Sequence, residues 1–355
     1  MRRRHSCDAP LLAHLRVRDQ HQDPRSEDRS GGEPARSVSQ RRRVVRQDPA
    51  RGVGASVVTV PEALDHAWIR AELAARRGVV GTPLCFEAQV GSTSDLAREL
   101  AIAGAPHGTT VVADEQVAGR GRRGASRWQT PPRVSIALST VLRPPGIDPS
   151  SLGRLGLCIA IATAEAIEGS TGAHVMVKWP NDLVVEARGD LVGTILKLGG
   201  ILVEPAILAV VPPRVGHVVV GIGVNANLAA ASMAPTDADA LAPVALIDIV
   251  GHAVSRERLV VEILEAVGGA SDGWSDATWP SWRARYEARM VWRGVEVIAE
   301  GEASGSDRHH GRLMGIDPSG ALVIVGDDGT ASRVMTGRLR ANLRTQSAGR
   351  GVSRV

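Results

Sequence analysis

Lysine is nearly absent from this chain. Of its 42 basic residues, 40 are arginine and two are lysine, Lys178 and Lys197. On a solvated surface the two cations often replace one another, but a compact, flexible point charge is not equivalent to a planar fork where geometry matters. A chain that uses arginine almost everywhere keeps lysine where arginine fails, so composition alone makes these two positions candidates for function. Cysteine is scarce as well. Cys7, Cys85 and Cys158 are widely spaced, match no metal-ligand spacing and suggest no disulfide framework, which points to the cytoplasm. No apolar run reaches the roughly 18–20 residues needed to span a bilayer. The arginine-rich start has no apolar stretch of the kind a secretory signal needs. A membrane is therefore not an expected partner.

What is present is a chain of 355 residues, 43% hydrophobic, enough for a sizeable core in one large domain or two to three smaller ones. The formal net charge is +4, but it is unevenly placed: residues 1–56 carry +6 and the remainder −2. Bulk charge thus implies no duplex-binding surface on the folded body. Residues 1–56 are rich in Arg, Ser, Gln, Asp and Pro, lack aromatics and show no apolar period after Leu11–Leu15, the signature of a disordered basic tail. One reading makes this tail upstream sequence translated from a start placed too early, with the real start near Val57. Residues 345–355 are expected to be a second disordered tail.

From Val57 the pattern is globular. The spacing predicts helices over 62–77 with Pro61 in the first turn, over 93–104 capped by Ser92 or Thr93, over Leu152–Gly169, over 243–273 and over 278–289. Strands are predicted at 84–90, Thr109–Ala113, Ser135–Leu142, Val175–Lys178, Leu191–Leu196, Ile201–Leu208 and His217–Val224, with a Gly/Arg loop after the second. Over 290–344 the texture changes to short strands separated by Glu300-Gly301, Asp317-Pro318-Ser319-Gly320 and Asp327-Asp328-Gly329, a small all-β module.

Four segments carry chemistry. Gly119-Arg120-Gly121-Arg122-Arg123-Gly124 joins glycines that let backbone approach a ligand to forked donors for phosphate or carboxylate. By itself it also suits a solvated basic turn or an RGG-like nucleic-acid segment, and it matches neither the P-loop nor the dinucleotide fingerprint. Lys178-Trp179-Pro180-Asn181-Asp182 packs a cation, a ring and two short oxygen-bearing side chains at a strand end; the alternative is a plain β-turn. In Lys197-Leu198-Gly199-Gly200-Ile201-Leu202-Val203-Glu204, a lysine near the base of a buried strand needs a counter-charge, which a ligand carboxylate or phosphate would supply, unless it snorkels at a strand edge. Gly221-Ile222-Gly223-Val224-Asn225-Ala226-Asn227 offers close backbone approach and amides for a ligand or a water-bridged Mg²⁺, or simply an Asx turn. Before these stand Ser92-Thr93-Ser94, which would cap a helix or ring a polar ligand with hydroxyls, and Gln116, whose amide would face the same pocket.

Taken in order, from about residue 85 to 344, these segments resemble the biotin protein ligases. The family pattern appears as Ser92–Ser94, Gln116, Gly119–Gly124, Trp128 to Pro132, Lys178–Asp182, Lys197–Glu204 and Gly221–Asn225. Ser94 stands in place of the family's Asn and Gly199 in place of Ala. The loop is one residue longer, which passes the role of the following Arg to Arg127. The stretch between Asp182 and Lys197 is longer too, as a β-hairpin extension or an alternative alignment on Gly189–Gly193. That alignment would put Asp190 at the lysine position, which is electrostatically wrong, so Lys197 is preferred.

The resemblance implies an α/β (α+β) fold: a class II aminoacyl-tRNA synthetase-like biotin/lipoate ligase core with a mixed sheet, spanning 57–289, and an SH3-like C-terminal barrel over 290–344. It implies a monofunctional enzyme, since the helical spacing of a DNA-binding helix-turn-helix is missing. The implied reaction activates biotin with ATP to biotinyl-5′-adenylate and then transfers biotin to a lysine of a biotin carboxyl carrier protein, or carrier domain of an acetyl-CoA or acyl-CoA carboxylase. By resemblance Ser92, Thr93, Ser94 and Gln116 line the biotin ring site, Arg120, Gly121 and Arg122 cover biotin's tail and the phosphate, and Lys197 contacts carboxylate and α-phosphate oxygens. Lys197, Arg120 and Arg122 are the catalytic candidates. Gly119, Arg123, Lys178, Trp179, Asn181, Asp182 and Asn225 lie on the nucleotide side. Mg²⁺ enters on the ATP phosphates, with Asp182 and Asn225 as candidate ligands. The competing expectations are a lipoate or octanoate protein ligase or transferase, which shares the core, and a nucleic-acid-binding regulator resting on the N-terminal arginines. Monomer and homodimer are both open.

Overall fold

The computed structural model describes residues 62–122, 127–145, 147–187, 193–233, 241–301 and 308–342. The two expected tails, Arg123 and Asp190 lie outside the described residues.

The chain opens with α1 (His66–Ala75), β1 (Leu84–Glu87), α2 (Thr93–Ile102), β2 (Thr110–Ala113), β3 (Gln116–Arg120), β4 (Arg127–Thr130) and β5 (Ser135–Leu142). It continues with α3 (Leu152–Thr171), β6 (Met176–Lys178), β7 (Asp182–Glu186), β8 (Ile195–Leu208), β9 (Arg214–Asn225), α4 (Leu246–Val250), α5 (Arg256–Gly273) and α6 (Trp279–Arg289). Strands β10 (Glu296–Glu300), β11 (Arg308–Ile316), β12 (Leu322–Val325), β13 (Ala331–Val334) and β14 (Arg338–Ala341) close it.

Seven strands form one mixed sheet in the order β1-β2-β5-β9-β8-β7-β6, in which β1 and β2 are parallel and the other pairs antiparallel. Alternation along each strand sends successive side chains to opposite faces. Leu84, Phe86, Val112, Ile136, Leu138, Val218 and Val220 join the large core with α3, α5 and α6. Cys85, Val111, Val141 and Val219 meet Ala97, Leu100 and Ala101 of α2 in a second, smaller core. The site described below opens on this second face. Strands β10–β14 make a separate antiparallel sheet, order β13-β12-β11-β10-β14, where β structure was expected.

Several expectations are corrected. The first helix starts at His66, not in the turn of Pro61, because the Asp65 side chain accepts from Trp68 N. The Gly/Arg segment starts in a strand: Gly119 and Arg120 of β3 pair with Trp128 and Arg127 of β4, Gly121 and Arg122 follow outside any strand, and residues 123–126 lie outside the described residues. Strand β7 was not anticipated; paired to β8 with Val184 opposite Lys197, it accounts for the long spacing before Lys197 as a hairpin extension. Two predicted strands fuse into β8 through Gly199-Gly200, because ladders on both sides hold these glycines extended. The 243–273 helix is split: Gly251, at φ 78°, ends α4, and Ser255 caps α5. Contrary to the hydropathy expectation, Pro149–Thr171 is long and apolar enough to cross a membrane by length and composition; its residues Leu155, Ile159, Ile161 and Ile167 are buried in the protein core. Cys158 is buried and free, its thiol pushed up to about 12 by burial.

Candidate functional site

A cavity of about 850 Å³ opens over the middle of the seven-stranded sheet. Its depth comes from missing side chains. Gly200 and Gly223 face each other across β8 and β9, and Gly221 lies opposite Ser139 of β5. A Cβ on Gly221 would come within 2.6 Å of Ser94 Oγ, and one on Gly223 within 2.4 Å of Trp128 Nε1. Only glycine lets the α2 N-terminus and the β4 indole lie this close to the sheet.

One wall is a buried cluster of hydroxyls and an amide. Ser92 caps α2, its Oγ accepting from Asp95 N. The cap aims Thr93 and Ser94 at the sheet. Thr93 donates from N to Gln116 Oε1 (2.9 Å) and from Oγ1 to the same oxygen (3.1 Å). Thr93 and Ser94 hydroxyls both lie on Ser139 Oγ, at 2.8 and 3.0 Å, and Gln116 Nε2 donates to Trp128 O. Hydroxyls donate or accept by rotation, so the cluster can present either to a polar ring.

The opposite wall is charged. Lys178 Nζ lies 3.0 Å from Asp182 Oδ2 and Lys197 Nζ 2.7 Å from Asp182 Oδ1, so both lysines of the chain converge on one carboxylate. Burial pushes the Asp182 carboxyl up, but the Lys178 and Lys197 charges and hydrogen bonds outweigh it and hold the group below the usual carboxylate range. Trp292 and Trp128 lie beneath the two ammonium groups, each 5.9 Å from ring centroid to Nζ. Arg120, Gly121 and Arg122 rim the cavity. Arg122 donates to Thr336 Oγ1 (2.9 Å) and Gly337 O (2.7 Å), tying the β3–β4 hairpin to the C-terminal sheet.

Of the residues singled out in the sequence, Ser92, Thr93, Ser94, Gln116, Arg120, Gly121, Arg122, Lys178, Asn181, Asp182 and Lys197 all line this one cavity. Gly119, Trp179 and Asn225 do not. Gly119 is closed in by Gln116 and the Trp128 carbonyl, and Trp179, 1% exposed, belongs to the core. Asn225 turns its amide N–H onto Val244 O, and Asn181 likewise braces Ile201 O. As resident Mg²⁺ ligands Asp182 and Asn225 do not fit: an ammonium group already sits on each Asp182 oxygen. Among the described residues no group of three or more His, Cys, Asp or Glu could hold a metal.

Sequence reasoning missed Ser139, which with Ser135 and Thr140 is one of three polar residues in a fully buried strand. It also missed Trp292, Arg338, Leu339 and Arg340, which enter the lining from beyond the core and carry no local signal.

The chain is similar to known proteins across this region. The model of the Biotin/lipoate A/B protein ligase family matches residues 86–225. The biotin--[acetyl-CoA-carboxylase] ligase of Paracoccus denitrificans is 34% identical over 226 residues, 62% of this chain and 85% of that protein. The bifunctional ligase/repressor BirA of Bacillus subtilis is 28% identical over 285 residues, 79% of this chain and 81% of that protein. The solved biotin protein ligase from Aquifex aeolicus in complex with biotin and ATP shares the fold, with a TM-score of 0.59 at 24% identity, covering 73% of this chain and 99% of that one.

Proposed function

This chain belongs to the biotin protein ligase family, and on that premise we propose that it activates biotin with ATP and transfers it to a lysine of a biotin carboxyl carrier protein. The observation that carries the reading is the convergence of Lys178 and Lys197 on Asp182 at the wall of an arginine-rimmed cavity.

Two lysines on one carboxylate leave a surplus positive charge aimed into the cavity, where preorganised cations act strongly on developing anionic charge. In the first step a biotin carboxylate oxygen attacks the α-phosphorus of ATP; the bond to the β-phosphate oxygen breaks and pyrophosphate leaves. Lys197 receives the carboxylate and α-phosphate oxygens, and Arg120 and Arg122 offset the charge that builds during attack. Ser94, Thr93, Ser139 and Gln116 take the ureido ring. Mg²⁺ arrives with the nucleotide, as part of that substrate. In the second step the carrier's lysine amine attacks the acyl carbon of the mixed anhydride and AMP leaves. The nucleophile belongs to the partner, so this chain needs no Ser, Cys or His of its own for it. The proposed division of the chain is a catalytic unit over 57–289 and a small β module over 290–344; the proposed carrier is that of an acyl-CoA carboxylase, and the proposed compartment is the cytoplasm.

Exchange of labelled pyrophosphate into ATP, run on the intact chain with biotin and with lipoate, tests this. Exchange with biotin alone is expected. Exchange driven by lipoate would move the chain to the other branch of the family, and none with either would remove the reading.

A further inference from the structure

Beside the cavity lies a square of four charges with no assigned role. Asp95 and Arg98 sit one turn apart on α2, Arg120 ends β3 and Glu204 lies on β8. Asp95 Oδ1 accepts from Arg98 Nη1 at 2.7 Å and from Arg120 Nη2 at 2.6 Å. Glu204 Oε1 accepts from Arg98 Nη2 at 2.9 Å and lies 3.5 Å from Arg120 Nη2. The two arginines are therefore unequal. Arg98 bridges the carboxylates with two nitrogens, whereas Arg120 reaches both with one. Arg120 alone of the four also lines the cavity.

We propose that Asp95, Glu204 and Arg98 form a parking site for the Arg120 guanidinium, in which Arg98 stays hydrogen-bonded to both carboxylates whenever Arg120 turns to an anion in the cavity, and the net negative charge left behind draws Arg120 back when the site empties. This rests on the reading of Arg120 as the group that covers biotin's carboxylate tail. Three features support it. The side chains are 27–45% exposed, and exposed ion pairs are individually weak, as a releasable contact must be. Departure of Arg120 leaves neither carboxylate without a hydrogen-bond partner, because Arg98 holds Asp95 Oδ1 and Glu204 Oε1. The remaining Glu204 oxygen, Oε2, is buried without a hydrogen-bond partner, so nothing else in the described residues fixes this carboxylate. Asp95, Glu204 and Arg98 are positioning residues: they compete for, or release, the group that meets the ligand.

The competition predicts opposite signs from neighbouring substitutions. In Asp95→Asn the parking site loses a charge, Arg120 is freer, and biotin should bind about threefold more tightly. In Arg98→Ala two carboxylates depend on Arg120 alone, and biotin should bind about three- to tenfold more weakly, with Arg98→Lys restoring part of the loss. Both shifts should shrink at high salt, because the pairs are exposed. The experiment is calorimetric titration of the intact chain and its variants with biotin, at low and high salt, with thermal melting to check folding. A purely structural square would weaken binding in both variants. Shifts of the same sign, or none, overturn the parking site while Arg120→Ala still weakens biotin binding. If Arg120→Ala binds biotin like the parent, the reading of Arg120 itself falls, and the parking site with it.

Discussion

At the residue scale, Lys197 is where arginine's geometry fails. Its ammonium has Asp182 Oδ1 on one side and the Trp128 ring 5.9 Å away on the other, a space for a point charge and not for a planar fork. Lys197→Arg keeps the charge and is expected to reduce biotin-dependent pyrophosphate exchange on the order of 100-fold, the scale of losing one preorganised donor; parent-like exchange would refute the role. Asp182 answers to pH. Its carboxyl is held below the usual range, so its ionised form stabilises the fold above that range, and the contribution disappears as pH falls through the lowered native value. In urea unfolding, Asp182→Asn should be destabilised most near neutral pH, and the gap to the parent should close below about pH 4. A gap that stays constant with pH would contradict the lysine–carboxylate pairing.

Elements supply what residues cannot. Strands β8 and β9 build the cavity floor by withholding side chains at Gly200, Gly221 and Gly223. Gly223→Ala would drive a Cβ to 2.4 Å from the Trp128 indole nitrogen. Overpacking of this kind costs about 1–3 kcal/mol, and displacement of the indole should raise the apparent KM for ATP or biotin; denaturation and exchange kinetics measure the two effects. The motif glycines were legible as close-approach positions, but their alignment across strands was not. That alignment depends on register, and register is a property of the pair of strands. For the same reason Gly199-Gly200 looked like a break between two strands, and the polar ends of β3 and β7 hid strands that only their partners define.

The whole molecule places the seven-stranded sheet, the β3–β4 pair and the C-terminal sheet around one cavity. Gly337–Ala341 line it from the C-terminal sheet, Trp279 Nε1 donates to Pro318 O, and Ile316 N donates to Glu287 Oε1. These ties hold the C-terminal sheet against α6. The excess positive charge, by contrast, lies in residues 1–56, and among the described residues the cavity lining is drawn from residue 92 onward. A chain starting at Val57 should therefore retain biotin-dependent exchange and lose any salt-sensitive affinity for DNA. Loss of exchange on this deletion would give the basic segment a part in the reaction.

Sequence by itself determined the residue types and their order: two lysines in an arginine chain, a Gly/Arg segment, a helix cap of hydroxyls, glycines after buried strands. It could do so because a ligand's carboxylate, phosphate and polar ring demand particular groups at short local spacings. Only the tertiary structure decided which of these groups meet. It brought Lys178 and Lys197 to the same carboxylate, added Ser139 and the C-terminal arginines to the walls, and removed Trp179 to the core. Those outcomes depend on cross-strand register and on packing between segments far apart in the chain, and no local pattern encodes either.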